Sequence, residues 1–352
     1  MCECIGPKKS LVIHDQQRHA KQLEYTFVDI LKGARLLKST RKPKFTLNRL
    51  RTEQSNSAAH DLDCKCSLEI ARLINAEDAT VAAAVARVLP QIARAIDFVA
   101  SALSHGGRLI YVGAGTSGRV AALDALECPP TFNIHPSSVQ FIIAGGSKAL
   151  SSASEISEDD SRQGRDEMAR RKPGKNDVVI GIAASGRTPF TVAAIELARH
   201  HGARTIALTC NPKSRLERCA HFAIVTQVGP EILAGSSRMK AATAHKMVLN
   251  MISTGAMSRL GYVYGNLMVN VVPKNEKLTQ RAIGILERAS GANAAVARSA
   301  LVSSGGRTPV ALVMLAAGVT RERAVAALKQ SSGHVRHAIA LAAKQALANP
   351  SF

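Results

Sequence analysis

Three segments of this chain combine glycines with hydroxyl side chains in the way that phosphate-binding loops do. They read GAGTSGR (113–119), AASGRTP (183–189) and GPEILAGSSRMKAAT (229–243). Glycines let backbone N–H groups approach an anion, serine and threonine add hydroxyl donors, and a helix that begins at the loop adds its positive end. We therefore predict a phosphate site with contacts from Thr116, Ser117, Ser185 and Thr188, helped by Ser236 and Lys240.

The first loop also satisfies the G-x-G-x-x-G pattern of dinucleotide sites. Such a site needs a carboxylate about 20 residues further on to hold the ribose, and the next predicted strand ends in IIAGGSKA (142–149), which has none. A P-loop is excluded because the chain lacks G-x-x-x-x-G-K-[ST]. The loops thus favour the binding of a single phosphate group. The alternative is that they are tight turns that bind no ligand. For Lys240 and Arg238, a solvent-facing or interface position is the alternative role.

Carboxylates follow the first two predicted strands and are candidates for acid–base chemistry. Glu127 lies in DALECPPTF (124–132), and an acidic run in SASEISEDDSR (152–162) contains Glu155, Glu158, Asp159 and Asp160. Two carboxyl groups near one anchored sugar can divide general acid and general base work. The alternative is that the acidic run is a solvated helix face.

The elements that must position these side chains alternate between strand and helix. Short apolar runs at RLIYVG, VQFIIAGG, DVVIGIAAS, RTIALTC and HFAIVTQV predict buried strands, and helical spacing separates them. This order predicts an α/β fold, an αβα sandwich on a parallel sheet, with ligands at the carboxyl ends of the strands. Pro90 is expected to kink or divide the helical segment 79–107. From about Leu278 the chain predicts a small helical C-terminal domain.

Composition narrows the possible classes of protein. The net charge of +20 invites a nucleic-acid assignment, but no helix-turn-helix pattern or zinc spacing supports one, so an anionic phosphate substrate is the simpler account. The seven scattered cysteines indicate free thiols in a reducing cytoplasm. The chain lacks both an apolar run of membrane-spanning length and a secretory signal. We therefore expect a cytoplasmic protein that binds neither specific nucleic acid nor membrane.

The first 51 residues differ from the remainder. They carry 12 Lys and Arg against 4 Asp and Glu and show no sustained periodicity. We expect a dispensable basic extension over 1–51, followed by a sugar-phosphate domain over 52–277 and the C-terminal domain over 278–352.

Several long motifs give the chain a specific resemblance from about Thr52 onward. They are SLEIARLINAEDATV (67–81), GGRLIYVGAGTSGRVAALDALECPPTF (106–132), IAGG (143–146), VVIGIAASGRTPF (178–190), VGPEILAGSSRMKAATAHKMVLNMISTGAM (228–257) and YGNLMVNV (264–271). With these motifs the sequence resembles the bacterial N-acetylmuramic acid 6-phosphate etherases, a family with one SIS (sugar isomerase) domain.

The resemblance implies the SIS fold, a C-terminal domain of three helices, and cleavage of the D-lactyl ether of N-acetylmuramic acid 6-phosphate. The products would be N-acetylglucosamine 6-phosphate and D-lactate, made without metal or cofactor during cell-wall sugar recycling. It places the family's two active-site glutamates on Glu127 and Glu158, which we assign as proton donor and partner. It also implies a homodimer with the sugar near the subunit interface.

Three positions depart from the family pattern. Ala242 stands where the family has Gly, His245 where it has Gln, and Asn270 where it has Asp. A positive φ at Ala242 would be strained, and a His245 that faced the sugar would alter specificity. The alternatives to the lyase are a non-catalytic sugar-phosphate regulator, like the glucokinase regulatory protein, and an aldose–ketose isomerase.

Overall fold

The computed structural model describes residues 50–152 and 156–348. The predictions for residues 1–49 and for Glu155 lie outside this part of the chain. The described residues form one parallel sheet, helices on both of its faces, and a group of helices at the C-terminal end.

In the part of the chain that the structure describes, the sheet has five strands, which all run parallel in the order β2-β1-β3-β4-β5. Each strand is short and apolar, as the sequence predicted for buried parallel strands. Their bounds are β1 Leu109–Gly113, β2 Val139–Ile143, β3 Val178–Ile182, β4 Arg204–Thr209 and β5 Phe222–Val225.

Seven α-helices surround this sheet within the described residues. They are α1 Ser67–Ala86, α2 Leu89–Ser104, α3 Gly115–Phe132, α4 Ser161–Arg171, α5 Pro189–His200, α6 Arg215–Cys219 and α7 Lys240–Arg259. The division predicted at Pro90 is confirmed, because α1 and α2 meet at an angle of 63° with the proline in the first turn of α2. Helix α3 includes Pro129 and Pro130 in its last turn.

The sheet separates two apolar cores. Leu109 and Tyr111 of β1 face the core shared with α1, α2, α3 and α7, while Ile110 and Val112 face the core shared with α4, α5 and α6. This alternation follows from the two-residue period of a strand. The predicted αβα sandwich is therefore confirmed.

The strand order reverses direction at β1. From β1 the chain passes through α3 to β2 at the edge, and the later strands add on the other side of β1 through β3. The loops after β1 and β3 thus leave neighbouring strands toward opposite faces and open a crevice between them. Ligands of open parallel sheets bind at this position.

Up to residue 348, where the described part of the chain ends, five α-helices form the C-terminal region, and the resemblance implied three. They are α8 Glu276–Ser290, α9 Ala294–Ser303, α10 Thr308–Ala317, α11 Arg321–Gln330 and α12 Val335–Ala348. The additional boundaries follow from local signals, since Asn275, Asn293 and Thr320 cap helix starts with their side chains and Gly291 and Gly318 end helices with positive φ. Their apolar core also includes Val269 and Val271.

Over the described residues, no single helix combines the length and the apolar composition needed to cross a membrane. Two helix pairs meet that requirement only when each sharply bent pair is taken as one segment.

Candidate active site

A cavity of about 540 Å³ opens at the carboxyl ends of β1 and β3. Six of the eight predicted site residues line it, so the glycine- and hydroxyl-rich loops converge at one place. The polar side chains at its surface are Thr52, Glu53, Thr116, Ser117, Arg119, Glu158, Asp159, Ser185, Thr188, Ser236, Ser237 and Arg238.

The first loop passes directly from β1 into α3. Gly115, the first residue of that helix, has a φ of +51°, which favours glycine. Ala114 occupies the N-cap, where its methyl group cannot cap the first N–H groups of α3. Thr116 and Ser117 follow at the cavity wall. The helix start and the two hydroxyls together suit an anion.

The second loop makes a similar turn after β3. Gly186 has a φ of +66°, and a Cβ there would stand 2.4 Å from Ser214 Oγ. The close approach leads the chain into α5, whose N-cap Thr188 makes no side-chain capping bond. The Thr188 hydroxyl therefore remains for the cavity, together with that of Ser185.

The third loop is held by a buried carboxylate. Glu231 is fully buried and accepts hydrogen bonds from the backbone N–H groups of Lys240 and Ala241, each 2.9 Å long. These bonds fix the segment that brings Ser236, Ser237 and Arg238 to the cavity. Burial raises the pKa of Glu231, against the lowering effect of the two N–H groups.

The structure places Lys240 away from this cavity, contrary to the predicted phosphate contact. Its side chain is 3% exposed, and its ammonium group is ion-paired with Glu77 of α1. A buried charge needs such a partner. The lysine therefore joins α7 to α1, and Arg238 supplies the cation of this loop at the cavity.

Glu158 reaches the cavity from a short 3₁₀ helix, Ile156–Glu158. Its carboxylate lies over the first loop, with Oε1 2.7 Å from the position of a Cβ on Gly115. Arg119 of α3 supports the segment before it, since Nε donates to the carbonyl oxygen of Ala149 at 3.0 Å and Nη2 donates to that of Ser152 at 2.8 Å. The predicted catalytic carboxylate and the predicted phosphate loop are therefore adjacent.

Glu127 lies on the same helix as Thr116 but is exposed and outside the cavity. It follows Gly115 by twelve residues, which is about 18 Å along the helix axis. A single chain therefore does not bring Glu127 and Glu158 to one small substrate. Leu123 and Leu126 beside it are 50% and 59% exposed, an unusual surface for large apolar side chains.

Helix α3 is fixed in the interior by a hydrogen-bonded carboxyl group. Asp124 accepts hydrogen bonds from the hydroxyls of Tyr111 in β1, at 2.8 Å, and of Ser253 in α7, at 3.0 Å. Burial raises the pKa of Asp124, and the two hydroxyls oppose that effect. The helix that carries Thr116, Ser117 and Glu127 is thereby tied to the sheet and to α7.

Sequence reasoning missed the contribution of residues 50–53, which we call the N-terminal strap. Leu50 and Thr52 are buried, and Thr52 and Glu53 line the cavity. Asn211 holds the strap, since its Oδ1 accepts from the N–H of Arg51 at 2.9 Å and its Nδ2 donates to Thr52 Oγ1 at 3.0 Å. The sequence feature that could have identified the strap is the Thr52-Glu53 pair at the predicted domain boundary. It was overlooked because this segment has neither helical nor strand periodicity.

The three departures from the family pattern lie away from the cavity wall. Ala242 is within α7 and needs no positive φ. His245 is buried beside Cys210, with Nε2 3.6 Å from Sγ, and burial lowers its pKa to about 4. Asn270 donates to the carbonyl oxygen of Tyr262 at 2.8 Å. None of the three faces the sugar-sized space that the loops enclose.

Among the described residues, no group of three or more His, Cys, Asp or Glu side chains is arranged to hold a metal ion. The donors that converge on the cavity are hydroxyls and backbone N–H groups with one or two cations, which suit an anion rather than a metal.

Two family models match the chain. The glucokinase regulatory protein N-terminal SIS domain matches residues 91–199, and the SIS domain matches residues 166–254. Among solved structures, a phosphoheptose isomerase from Francisella tularensis has 18% sequence identity and a TM-score of 0.45, covering 55% of this chain and 100% of its own.

Full-length relatives are much more similar. An N-acetylmuramic acid 6-phosphate etherase from Escherichia coli O1:K1 / APEC is 48% identical over 293 residues, which are 83% of this chain and 98% of the relative. One from Escherichia fergusonii is 47% identical with the same coverage. Identity at this level over nearly the whole relative establishes that the chain belongs to the N-acetylmuramic acid 6-phosphate etherase family.

Proposed function

We propose that this protein cleaves the D-lactyl ether of N-acetylmuramic acid 6-phosphate to give N-acetylglucosamine 6-phosphate and D-lactate. The names of its 48% identical relatives support this activity. The observation that carries the proposal is the position of Glu158, whose carboxylate lies beside a hydroxyl-lined anion cavity of sugar size.

The phosphate occupies the convergence of the first two loops. Thr116, Ser117, Ser185 and Thr188 donate their hydroxyls, and the starts of α3 and α5 contribute N–H groups and their positive ends. Ser236 and Arg238 complete the wall from the third loop. This anchoring places the sugar carbons beside Glu158.

The reaction is an elimination followed by an addition. In the open-chain sugar the C1 aldehyde acidifies the C2 proton, which the carboxylate of Glu158 removes. The C3–O bond breaks, its electron pair stays on the lactate oxygen, and the protonated carboxyl group of Glu127 supplies the proton. Water then adds its hydroxyl group to C3 and a proton reaches C2, with the carboxyl groups reversing roles. Each proton transfer contributes about 10²–10⁴ in rate.

A second copy of the chain supplies Glu127 in this scheme. Glu127 is exposed between the exposed Leu123 and Leu126, and a groove of about 300 Å³ lined by Leu126, Pro129 and Phe141 lies alongside at the β2 edge. These apolar features support a contact between two copies. In a two-fold pair, each cavity receives Glu158 from its own chain and Glu127 from its partner.

The activity is tested by incubating the purified full chain with N-acetylmuramic acid 6-phosphate and assaying D-lactate with a lactate dehydrogenase. We expect release by the wild type and a loss of about 10²-fold or more in Glu127→Gln and Glu158→Gln, because neither amide transfers a proton as a carboxyl group does. Glu196→Gln is the control, since it loses only surface ion pairs with Arg165 and Arg215. Wild-type protein that releases no lactate refutes the proposal.

A non-catalytic sugar-phosphate regulator is the second candidate. The match of residues 91–199 to the glucokinase regulatory protein N-terminal SIS domain favours it. Tight binding of the sugar phosphate without lactate release, by a protein that stays folded, would support the regulator instead.

A further inference from the structure

The cavity has a second carboxylate wall, contributed by the N-terminal strap. Glu53 is half-buried at the cavity, and its Oε2 lies 3.0 Å from the position of a Cβ on Gly235 in the third loop. Glu158 lies instead over Gly115 of the first loop. The two glutamates therefore approach the cavity from different loops.

Hydrogen bonds between the strap and its surroundings hold Glu53 at this position. The carbonyl oxygen of Thr52 accepts a hydrogen bond from the N–H of Gly235 at 3.3 Å. The hydroxyl of Thr52 accepts one from Nδ2 of Asn211 at 3.0 Å. Asn211 also donates to the carbonyl oxygen of Ala184 in the second loop at 2.9 Å. The strap is thus attached to both the second and the third loops.

The chemistry of Glu53 differs from that of its surroundings. The loops offer hydroxyl and N–H donors to an anion, whereas an ionised carboxylate only accepts hydrogen bonds. It would repel a phosphate, so the part of a sugar phosphate that suits it is the neutral part that carries donors. The hydroxyls and the acetamido N–H of an N-acetylated hexose are such groups, and the anchored sugar places them beyond the phosphate.

We propose that Glu53 is a specificity-determining residue that accepts hydrogen bonds from the neutral donors of the sugar and so selects a sugar phosphate over a bare anion. This inference rests on the proposed function and extends it, because it identifies the side of that same cavity that recognises the sugar. It gives the strap a role in ligand recognition that no loop motif indicated.

The test compares two ligands that differ by the sugar alone. Titration calorimetry measures the affinity of the full chain for N-acetylglucosamine 6-phosphate and for inorganic phosphate. We expect Glu53→Gln to lower the affinity for the sugar phosphate about tenfold and Glu53→Ala to lower it about 10- to 100-fold. This is the range expected for the loss of hydrogen bonds to a charged group. Inorganic phosphate should bind equally well or more tightly, because a negative charge has been removed.

Asp63→Asn is the matched control, an exposed carboxylate nearby in the chain and outside the cavity wall. It should change neither affinity. A Glu53→Ala variant that binds the sugar phosphate as the wild type does, or that weakens both ligands equally while remaining folded by circular dichroism, overturns the proposal.

The measurement does not depend on turnover. Wild-type protein that binds N-acetylglucosamine 6-phosphate but releases no lactate would refute the etherase function and leave the role of Glu53 to be decided by the variants. Wild-type protein that binds inorganic phosphate and not the sugar phosphate overturns the role of Glu53 directly.

Discussion

The carboxylate of Glu158 rests against the backbone of Gly115, with Oε1 only 2.7 Å from where a Cβ on that glycine would stand. The absence of a side chain at Gly115 therefore provides the space that the carboxylate occupies. Gly115 also begins α3 with a φ of +51° and belongs to the loop that carries Thr116 and Ser117. One residue thus sets the distance between the anion-binding loop and the proposed proton-transfer group.

We expect Gly115→Ala to displace the Glu158 carboxylate and to reduce lactate release about 10²-fold or more. Gly291→Ala is the matched control, because Gly291 at the end of α8 has a φ of +76° and a Cβ there would meet nothing within 4 Å. Both substitutions carry a similar backbone cost of about 1 kcal/mol. Equal activity losses in the two variants would show that the collision with Glu158 has no effect.

Glu127 and Glu158 should complement each other between chains. We expect that Glu127→Gln and Glu158→Gln, each nearly inactive alone, regain about a quarter of the wild-type activity when dissociated and reassociated as a mixture. Half of the randomly formed pairs then contain both variants, and each of those has one intact site. Lactate release before and after mixing measures this, and the absence of recovery in verified mixed dimers would place both glutamates in the same chain.

The predicted extension and the strap can be separated by two truncations. A chain that begins at Leu50 keeps the buried Leu50, the hydrogen bonds of Asn211 and the cavity residues Thr52 and Glu53. We expect it to retain turnover, whereas a chain that begins at Gln54 should show a KM at least about tenfold higher. Activity assays beside thermal unfolding distinguish this from collapse, and equal KM values would remove the strap from the site.

Because of His245, we expect the free energy of unfolding to fall in mild acid. Because its folded pKa is lowered from 6.5 to about 4, the unfolded chain binds a proton between these values while the folded chain does not. Stability is therefore full above pH 6.5 and declines toward pH 4, by about 2 kcal/mol at pH 5 for this group. Urea unfolding at pH 7.5 and pH 5 measures the decline, and His245→Gln should reduce it by about that amount. An unchanged decline in the variant would contradict the assignment.

The sequence predicted the sheet and most of the cavity because both depend on short-range patterns. Apolar runs identify parallel strands, and parallel strands carry their following loops to one edge. For this reason Thr116, Ser117, Ser185, Thr188, Ser236 and Glu158 converge as expected.

The remaining differences depend on contacts between distant parts of the chain. Lys240 looked like an anion ligand because its loop is rich in donors, but Glu77, 163 residues earlier, neutralises it in the interior. Glu53 was overlooked because its position depends on Asn211, 159 residues beyond its neighbour Thr52. Local spacing contains no information about either pairing.

The buried ion pair of Lys240 and Glu77 limits how this protein can change over generations. Losing Glu77 alone leaves the ammonium group of Lys240 uncompensated inside, at a cost of about 3–5 kcal/mol, which is a large share of the stability of an ordinary domain. Exchanging both for apolar residues of similar size need cost nothing. A lineage that loses Glu77 first therefore passes through a strongly destabilised single variant. We expect residues 77 and 240 to change together.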